Sequence, residues 1–316
     1  MSDRCILGAD TGGTAVKWVL LDDRGETVAG GEVATDPGDG PGTLARLAGA
    51  VQASGRRPAA VGLACAGIVD PARGWLGRSP NLPGWEDSDL GAALRGAFPG
   101  LPTALANDVN AALYGEHRAG AGRGCRDLVM LALGTGVGGG VLLDGRLLIG
   151  AHCGAAELGH MVLDPAGPVC ACGNRGCLEA WAGSRALLAR ARELAAQGGA
   201  FGELVAARGA ALETRDLARA AQAGDPTARG LLAEAGRRLG QAVANLINCL
   251  DPERVIVGGG VARAGDLILG PCRAVVPGLV LAEGARTTPI VPAALGPAAA
   301  AVGVAWLARE AGPNGR

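Results

Sequence analysis

Apolar residues near the start of the chain come in short runs separated by turn-forming residues: Cys5-Ile6-Leu7-Gly8-Ala9, a glycine-rich turn, Val16-Lys17-Trp18-Val19-Leu20-Leu21, the turn Asp22-Asp23-Arg24-Gly25, then Thr27-Val28-Ala29. That pattern predicts strands joined as hairpins, the beginning of a mixed sheet. A helical period follows over residues 43–53, then an apolar strand over 59–64, then another over 101–106 leading into a helix through Tyr114. These are α/β units. Further along, Asp225-Pro226 has the chemistry of a helix start, and Leu231, Leu232, Ala235, Leu239, Val243, Leu246, Ile247 and Leu250 supply one apolar face. Pro252 is expected to end that helix, Arg254-Val255-Ile256-Val257 reads as a buried strand, and Gly258-Gly259-Gly260 follows where a ligand could approach the backbone.

The opening hairpin recurs. Residues 6–22 contain Asp10-Thr11-Gly12-Gly13-Thr14 and then Val19-Leu20-Leu21-Asp22; residues 128–144 contain Gly134-Thr135-Gly136-Val137-Gly138 and then Val141-Leu142-Leu143-Asp144. Two related halves would place two such loops across a cleft. Chance recurrence of glycine-rich turns is the alternative.

Composition sets bounds. A chain of 316 residues, at about 150 residues per domain, suggests two domains. Lys plus Arg number 29 against 30 for Asp plus Glu, so the formal charge of -1 offers no basic field for nucleic acid or an anionic membrane. Gly 55 and Pro 18 approach the level of low-complexity chains, but 49% hydrophobic residues favour a globular fold. Residues 1–9 hold no signal peptide, and the charge-free stretch 287–308 is broken by Pro289, Pro292 and Pro297, so a cytoplasmic protein without a membrane span is expected. Nine cysteines, an odd number with three between Cys170 and Cys177, fit metal binding better than disulfides.

Gly134-Thr135-Gly136-Val137-Gly138-Gly139 matches a dinucleotide fingerprint as a string, but it joins two strands instead of opening a helix. A Walker loop is excluded as well, because Lys17 is the only lysine and no Gly-Lys pair exists. Glycines between strands can still turn backbone N–H groups toward phosphate oxygens, with the hydroxyls of Thr11, Thr14 and Thr135 as further donors.

Five motifs, Asp10-Thr11-Gly12-Gly13-Thr14, Asn107-Asp108-Val109-Asn110-Ala111-Ala112, Leu133-Gly134-Thr135-Gly136-Val137-Gly138-Gly139-Gly140, Glu157-Leu158-Gly159-His160 and Cys170-Ala171-Cys172-Gly173-Asn174-Arg175-Gly176-Cys177-Leu178-Glu179, resemble in content and order the ROK family of sugar kinases and repressors. The resemblance covers nearly the whole chain. It implies the actin-like ATPase fold, also called ribonuclease H-like: two α/β domains with ATP and sugar in the cleft between them. The expected division is 1–118, completed by a C-terminal helix over 298–316, and a larger domain over 119–297 that carries the metal loop. The family's repressors have a winged-helix domain before the first motif. Only nine residues precede Asp10 here, so the kinase branch is expected.

Phosphoryl transfer to a hydroxyl needs positioning, charge stabilisation and one carboxylate to accept the proton. Asp108, after an apolar segment, stands where open α/β sheets place ligands; from the residues alone it could equally be a helix cap, and the resemblance makes it the catalytic base. Asp10 could orient Mg²⁺ and its waters, or be an ordinary turn residue. By resemblance ATP phosphates meet Asp10, Thr11, Gly12, Gly13, Thr14, Gly134, Thr135, Gly136, Gly138, Gly139, Gly258 and Gly259, while the sugar meets Gly67, Asn81, Asn107, Asp108, Glu157, His160 and Glu179. Two positions depart from the pattern: Ala106 replaces a common Glu, and prolines are missing beside Gly67. His160, Cys170, Cys172 and Cys177 would close a tetrahedral, structural Zn²⁺ site. The remaining cysteines read as small buried residues, and His117 and His152 have no assigned role.

The resemblance thus implies ATP-dependent phosphorylation of a hexose at its 6-hydroxyl, glucose first, in a homodimer or homotetramer. Fructose, mannose, allose, N-acetylglucosamine or N-acetylmannosamine as substrate, polyphosphate as donor, and a sugar-sensing regulator without turnover are the alternatives.

Overall fold

The computed structural model describes residues 5–79, 81–196 and 198–312. Two compact units divide them. The first holds the described residues up to Gly124, with Leu147–Ala155 and those from Ala294 on; the second holds Cys125–Arg146 and Ala156–Ala293.

The first unit opens with β1 (Cys5–Thr11), β2 (Ala15–Leu21) and β3 (Thr27–Ala34), then α1 (Gly40–Ala53) and β4 (Pro58–Cys65). A small antiparallel sheet of β5 (Val69–Asp70), β6 (Trp75–Leu76) and β7 (Ser88–Asp89) precedes α2 (Leu90–Ala97), β8 (Thr103–Asn107) and α3 (Asp108–Ala119). The main sheet has the order β3-β2-β1-β4-β8, with antiparallel hairpins on one side and parallel strands on the other. Several elements are longer than the sequence pattern indicates. β3 runs on to Ala34 because Gly30 and Gly31 keep pairing with β2. α1 starts at Gly40, where Asp39 accepts the N–H of Gly42 and caps the helix. The strand expected over 101–106 is shifted to 103–107, since Pro102 has no N–H to give and serves through its carbonyl, which accepts from Val61.

The second unit holds β9 (Leu128–Leu133), β10 (Val137–Leu143) and the Arg146 end of β11 (Arg146–Leu147), then α4 (Glu179–Ala182), α5 (Ser184–Ala195), α6 (Gly199–Arg208), α7 (Thr214–Gln222), α8 (Pro226–Leu250), β12 (Arg254–Gly258), α9 (Asp266–Leu279) and β13 (Ile290–Pro292). Its sheet, β11-β10-β9-β12-β13, repeats the plan of the first: an antiparallel hairpin whose first strand then takes parallel partners. Residues 6–22 and 128–144 form the equivalent hairpins, so their likeness is architectural and not accidental. In α8 the Asp225 side chain caps the N–H of Ala228 and the apolar face from Leu231 to Ile247 is buried. The helix is stopped not by Pro252 but by Asp251, one residue earlier, in the left-handed conformation (φ 44°).

The last helix, α10 (Ala299–Ala311), returns to the first unit and packs on β1, β4 and α3. Contact with α3 is close enough that a Cβ on Gly303 would lie 1.8 Å from the Ala111 carbonyl oxygen. Residues 313–316 of the expected C-terminal helix lie outside the described residues. Among the described residues no helix is long and apolar enough to cross a membrane.

Candidate active site

In the first unit the carboxyl ends of β1, β4 and β8 lie in register: Thr11 opposes Cys65, which opposes Asn107. Asp10 is the penultimate residue of β1, and Asp108 is the first residue of α3 directly after β8. Asn107 is a bona fide cap, its side-chain oxygen accepting from the N–H groups of Val109 (2.9 Å) and Asn110 (3.1 Å). Capping by Asn107 leaves Asp108 free of that task. One oxygen of Asp108 accepts from Val109 N–H at 2.9 Å.

Burial raises the Asp108 carboxyl above its ordinary range, opposed by the hydrogen bonds from backbone N–H groups and from Asn107. Asp10 is raised to about 7, chiefly by burial and then by the charge of Asp108, with Lys17 acting in the other direction. Lys17 opposes Asp10 across the β1–β2 hairpin. Sequence reading gave it no role; only the strand register shows that the single lysine faces this carboxylate. Two largely desolvated carboxylates, the charge of Asp108 raising Asp10, are a donor set that a divalent cation with several waters relieves.

Around this pair, the Asn107 side-chain amide donates to the Gly67 carbonyl (3.1 Å), joining two of the predicted sugar residues. Gly67 (φ 116°) lies so close to the Arg78 carbonyl oxygen that a Cβ there would be 2.4 Å from it. Asn81 is exposed, and its backbone oxygen would be 3.2 Å from a Cβ on Gly13. Gly12 and Thr14 are exposed and Gly13 half-buried at the β1–β2 turn. Thr11 differs: it ends β1, only 1% exposed, with its hydroxyl buried and without a hydrogen-bond partner among the described residues, so its side chain is not turned outward as a phosphate donor.

In the second unit the turn between β9 and β10 consists of Gly134, Thr135 and Gly136 alone. Gly138 and Gly139, read from sequence as loop residues, are strand residues opposite Ala132 and Leu131, because the pairing of β10 begins at Val137. Gly258 is likewise the buried end of β12, while Gly259 (φ 90°) is exposed and would place a Cβ 2.3 Å from the Leu133 carbonyl oxygen. Close approach of backbone to backbone therefore already demands glycine at 259.

Glu157 is exposed and immediately precedes the 3-10 turn Leu158–His160. His160, Cys170, Cys172 and Cys177 converge, with their ligand atoms all within 4.8 Å of one another. Cys170 Sγ is 3.7 Å from His160 Nδ1, and Cys172 Sγ is 3.8 Å from Cys177 Sγ. Tetrahedral zinc with bonds of about 2.3 Å to sulfur and about 2.0 Å to nitrogen requires edges of about 3.8 and 3.5 Å. The residues fit that ion. Burial raises the Cys170 and Cys177 thiols, whereas the Asn174 N–H lowers that of exposed Cys172. Glu179, the first residue of α4, accepts the Val137 N–H at 3.0 Å through Oε2 and lies 3.6 Å from Cys170 Sγ through Oε1. Neither contact is visible in the sequence.

The ROK family model matches residues 6–311. The glucokinase of Streptomyces coelicolor is 34% identical over 314 residues, covering 97% of this chain and 98% of that protein. A solved ROK family glucokinase from Streptomyces griseus, in complex with glucose and AMPPNP, is similar with a TM-score of 0.81 and 34% identity, covering 97% of this chain and 99% of that one. A ROK family transcriptional regulator, a homolog of the E. coli Mlc protein, gives a TM-score of 0.87 at 27% identity, covering 98% of this chain and 78% of the regulator. The chain belongs to the ROK family and has the actin-like ATPase fold.

Proposed function

We propose that the protein is an ATP-dependent sugar kinase that phosphorylates a hexose, glucose first, at its 6-hydroxyl. The observation that carries this reading is Asp108: a carboxylate at the carboxyl edge of a sheet, anchored by the Val109 N–H and near enough to a second acid, Asp10, for its charge to raise that carboxyl. Its similarity to the glucokinases of two Streptomyces species supports the substrate class.

In this reading Asn107, Asp108, Glu157, His160 and Glu179 bind sugar hydroxyls, with Gly67 and Asn81 beside them. A carboxylate can accept about four hydrogen bonds, so Asp108 keeps lone pairs for the hydroxyl proton after Val109 and Asn107 are served. As that proton moves to Asp108, the sugar oxygen bonds to the γ-phosphorus and the bond to the bridging oxygen breaks, releasing ADP. In the same reading the phosphates meet the Gly12–Gly13 turn, the 134–136 turn and Gly259 through N–H groups other than those of Gly12 and Gly134, which already donate to the Ala15 and Gly136 carbonyls. Asp10 would hold Mg²⁺ through its waters, the ion supplying charge neutralisation at the phosphate oxygens. The Cys170, Cys172, Cys177 and His160 set would hold structural zinc, which supplies no reacting group and fixes the ring of His160. The proposed setting is cytoplasmic, as a homodimer or homotetramer without nucleic-acid or membrane partners.

A coupled assay of ADP release over a sugar panel, with polyphosphate as a second donor, tests the proposal. Likeness to the Mlc-type regulator favours one competing reading, sensing without turnover. Sugar binding in calorimetry with no donor consumption for any sugar would establish that reading instead.

A further inference from the structure

The turn 134–136 is held on two sides by the segments that carry the Cys₃His cluster. On one side, Glu179 Oε2 accepts the Val137 N–H at 3.0 Å, while Ser184 N–H bonds the Gly134 carbonyl (2.9 Å) and Arg185 N–H the Thr135 carbonyl (3.2 Å). A Cβ on Gly136 would lie 2.1 Å from Glu179 Oε2, so a side chain there would push this carboxylate off the turn. On the other side the 3-10 turn ending in His160 presses against β10, where a Cβ on Gly159 would be 1.9 Å from the Val137 carbonyl oxygen. Val137 is thus gripped at its N–H by Glu179 and packed at its C=O by the neighbour of His160. The second oxygen of Glu179, Oε1, rests 3.6 Å from Cys170 Sγ. Glu179 therefore spans from a cluster ligand to the turn.

We propose that Glu179 is a positioning residue that ties the turn 134–136 to the Cys₃His cluster, so that metal in the cluster holds the turn in its phosphate-binding shape. The proposal deepens the kinase reading and rests on it for the word phosphate; the mechanical tie does not depend on it. A metal ion drawing four side chains to one centre fixes Cys170 and His160. It takes the Cys170 thiol proton, so the hold on Glu179 runs through the backbone from Cys177, two residues before it, and the hold on Gly159 from the adjoining His160. Without it both contacts loosen, and the turn frays at the Val137 N–H.

Three variants separate the links: Glu179→Ala removes the tie, Glu179→Gln keeps a carbonyl oxygen for the Val137 N–H, and Cys172→Ser removes a metal ligand that does not touch Glu179. Metal content, hydrogen exchange of the peptide spanning 134–140 and ADP affinity by calorimetry are measured for each. Loss of a hydrogen bond to a charged acceptor is worth about tenfold or more in an equilibrium. Glu179→Ala is expected to keep its zinc, exchange in that peptide at least about tenfold faster and bind ADP about tenfold more weakly. Glu179→Gln, which keeps a neutral acceptor for the Val137 N–H, should exchange at a rate between those of wild type and Glu179→Ala, and zinc-free Cys172→Ser should behave like Glu179→Ala. Wild-type exchange in the zinc-free protein would overturn the coupling, and wild-type exchange in Glu179→Ala would overturn the tie itself. Should Cys172→Ser fail to fold, stripping zinc from the wild-type protein with a selective chelator and restoring it gives the same comparison. If the zinc-loaded wild type binds no ADP, the kinase reading fails, and the exchange rates alone decide the tie.

Discussion

Glu116 and Leu295 are 179 positions apart in the chain, yet the buried carboxylate of Glu116 accepts the Leu295 N–H at 2.8 Å. Its other oxygen accepts from Ala294 N–H (3.1 Å) and Ala121 N–H (2.7 Å). The end of α3 is thereby fastened to the segment that leads into α10. Since α3 carries Asp108 at its other end, the fastening also steadies the candidate base.

Glu116→Ala would leave three N–H groups without their acceptor, each costing roughly 1–3 kcal/mol if no water replaces it. We expect a loss of about 3–5 kcal/mol in urea unfolding followed by circular dichroism, with Glu116→Gln in between because it retains one acceptor oxygen. A loss below about 1 kcal/mol would mean that water satisfies the segment.

Asp108→Asn keeps the side-chain shape and the contact to Val109 N–H but removes the proton acceptor. The turnover rate kcat is expected to fall about 10²–10⁴-fold, with a smaller change in sugar affinity. A variant keeping more than about a tenth of wild-type kcat would reduce Asp108 to a positioning role.

Asp10 carries a pH signature. Its carboxyl is raised from 3.8 to about 7 in the folded chain, by burial first and the charge of Asp108 second. Between those values the folded protein holds a proton that the unfolded chain has released. The stability this group contributes is therefore greatest below pH 3.8, declines as pH rises toward 7 and is flat above. Asp10→Asn should be more stable than wild type at pH 8, and the gap should narrow steadily toward pH 5. Urea midpoints of both proteins at pH 5, 6, 7 and 8 measure it, and a gap that does not vary with pH would contradict the assignment.

His160 turns Nδ1 toward Cys170, which leaves Nε2 for another partner. If Nε2 addresses a sugar hydroxyl, metal sets the ring that meets the substrate. Cys172→Ser should then lose zinc and bind glucose more weakly, although Cys172 is not among the proposed sugar contacts. Elemental analysis with glucose titration of the folded variant checks this; unchanged affinity in zinc-free protein would make the cluster a staple of its own loop only.

By itself the sequence determined the features whose physical cause lies within a few residues. The twin hairpins, the capped and apolar-faced α8, the Asn107-Asp108 step at a strand end and the His160, Cys170, Cys172 and Cys177 set were all legible, because turn chemistry, helix period and ligand type act locally. Tertiary structure alone decided what depends on register and on approach from far along the chain. Pairing of β10 from Val137 drew Gly138 and Gly139 into a strand, and the β1–β2 register set Lys17 across from Asp10. Glu116 looks like an ordinary helical acid, and the contact of Glu179 to Val137 is unforeseen, until folding brings backbone N–H groups of distant segments to their oxygens. A buried N–H must find an acceptor, and which carboxylate serves it is settled only when the core has closed around both.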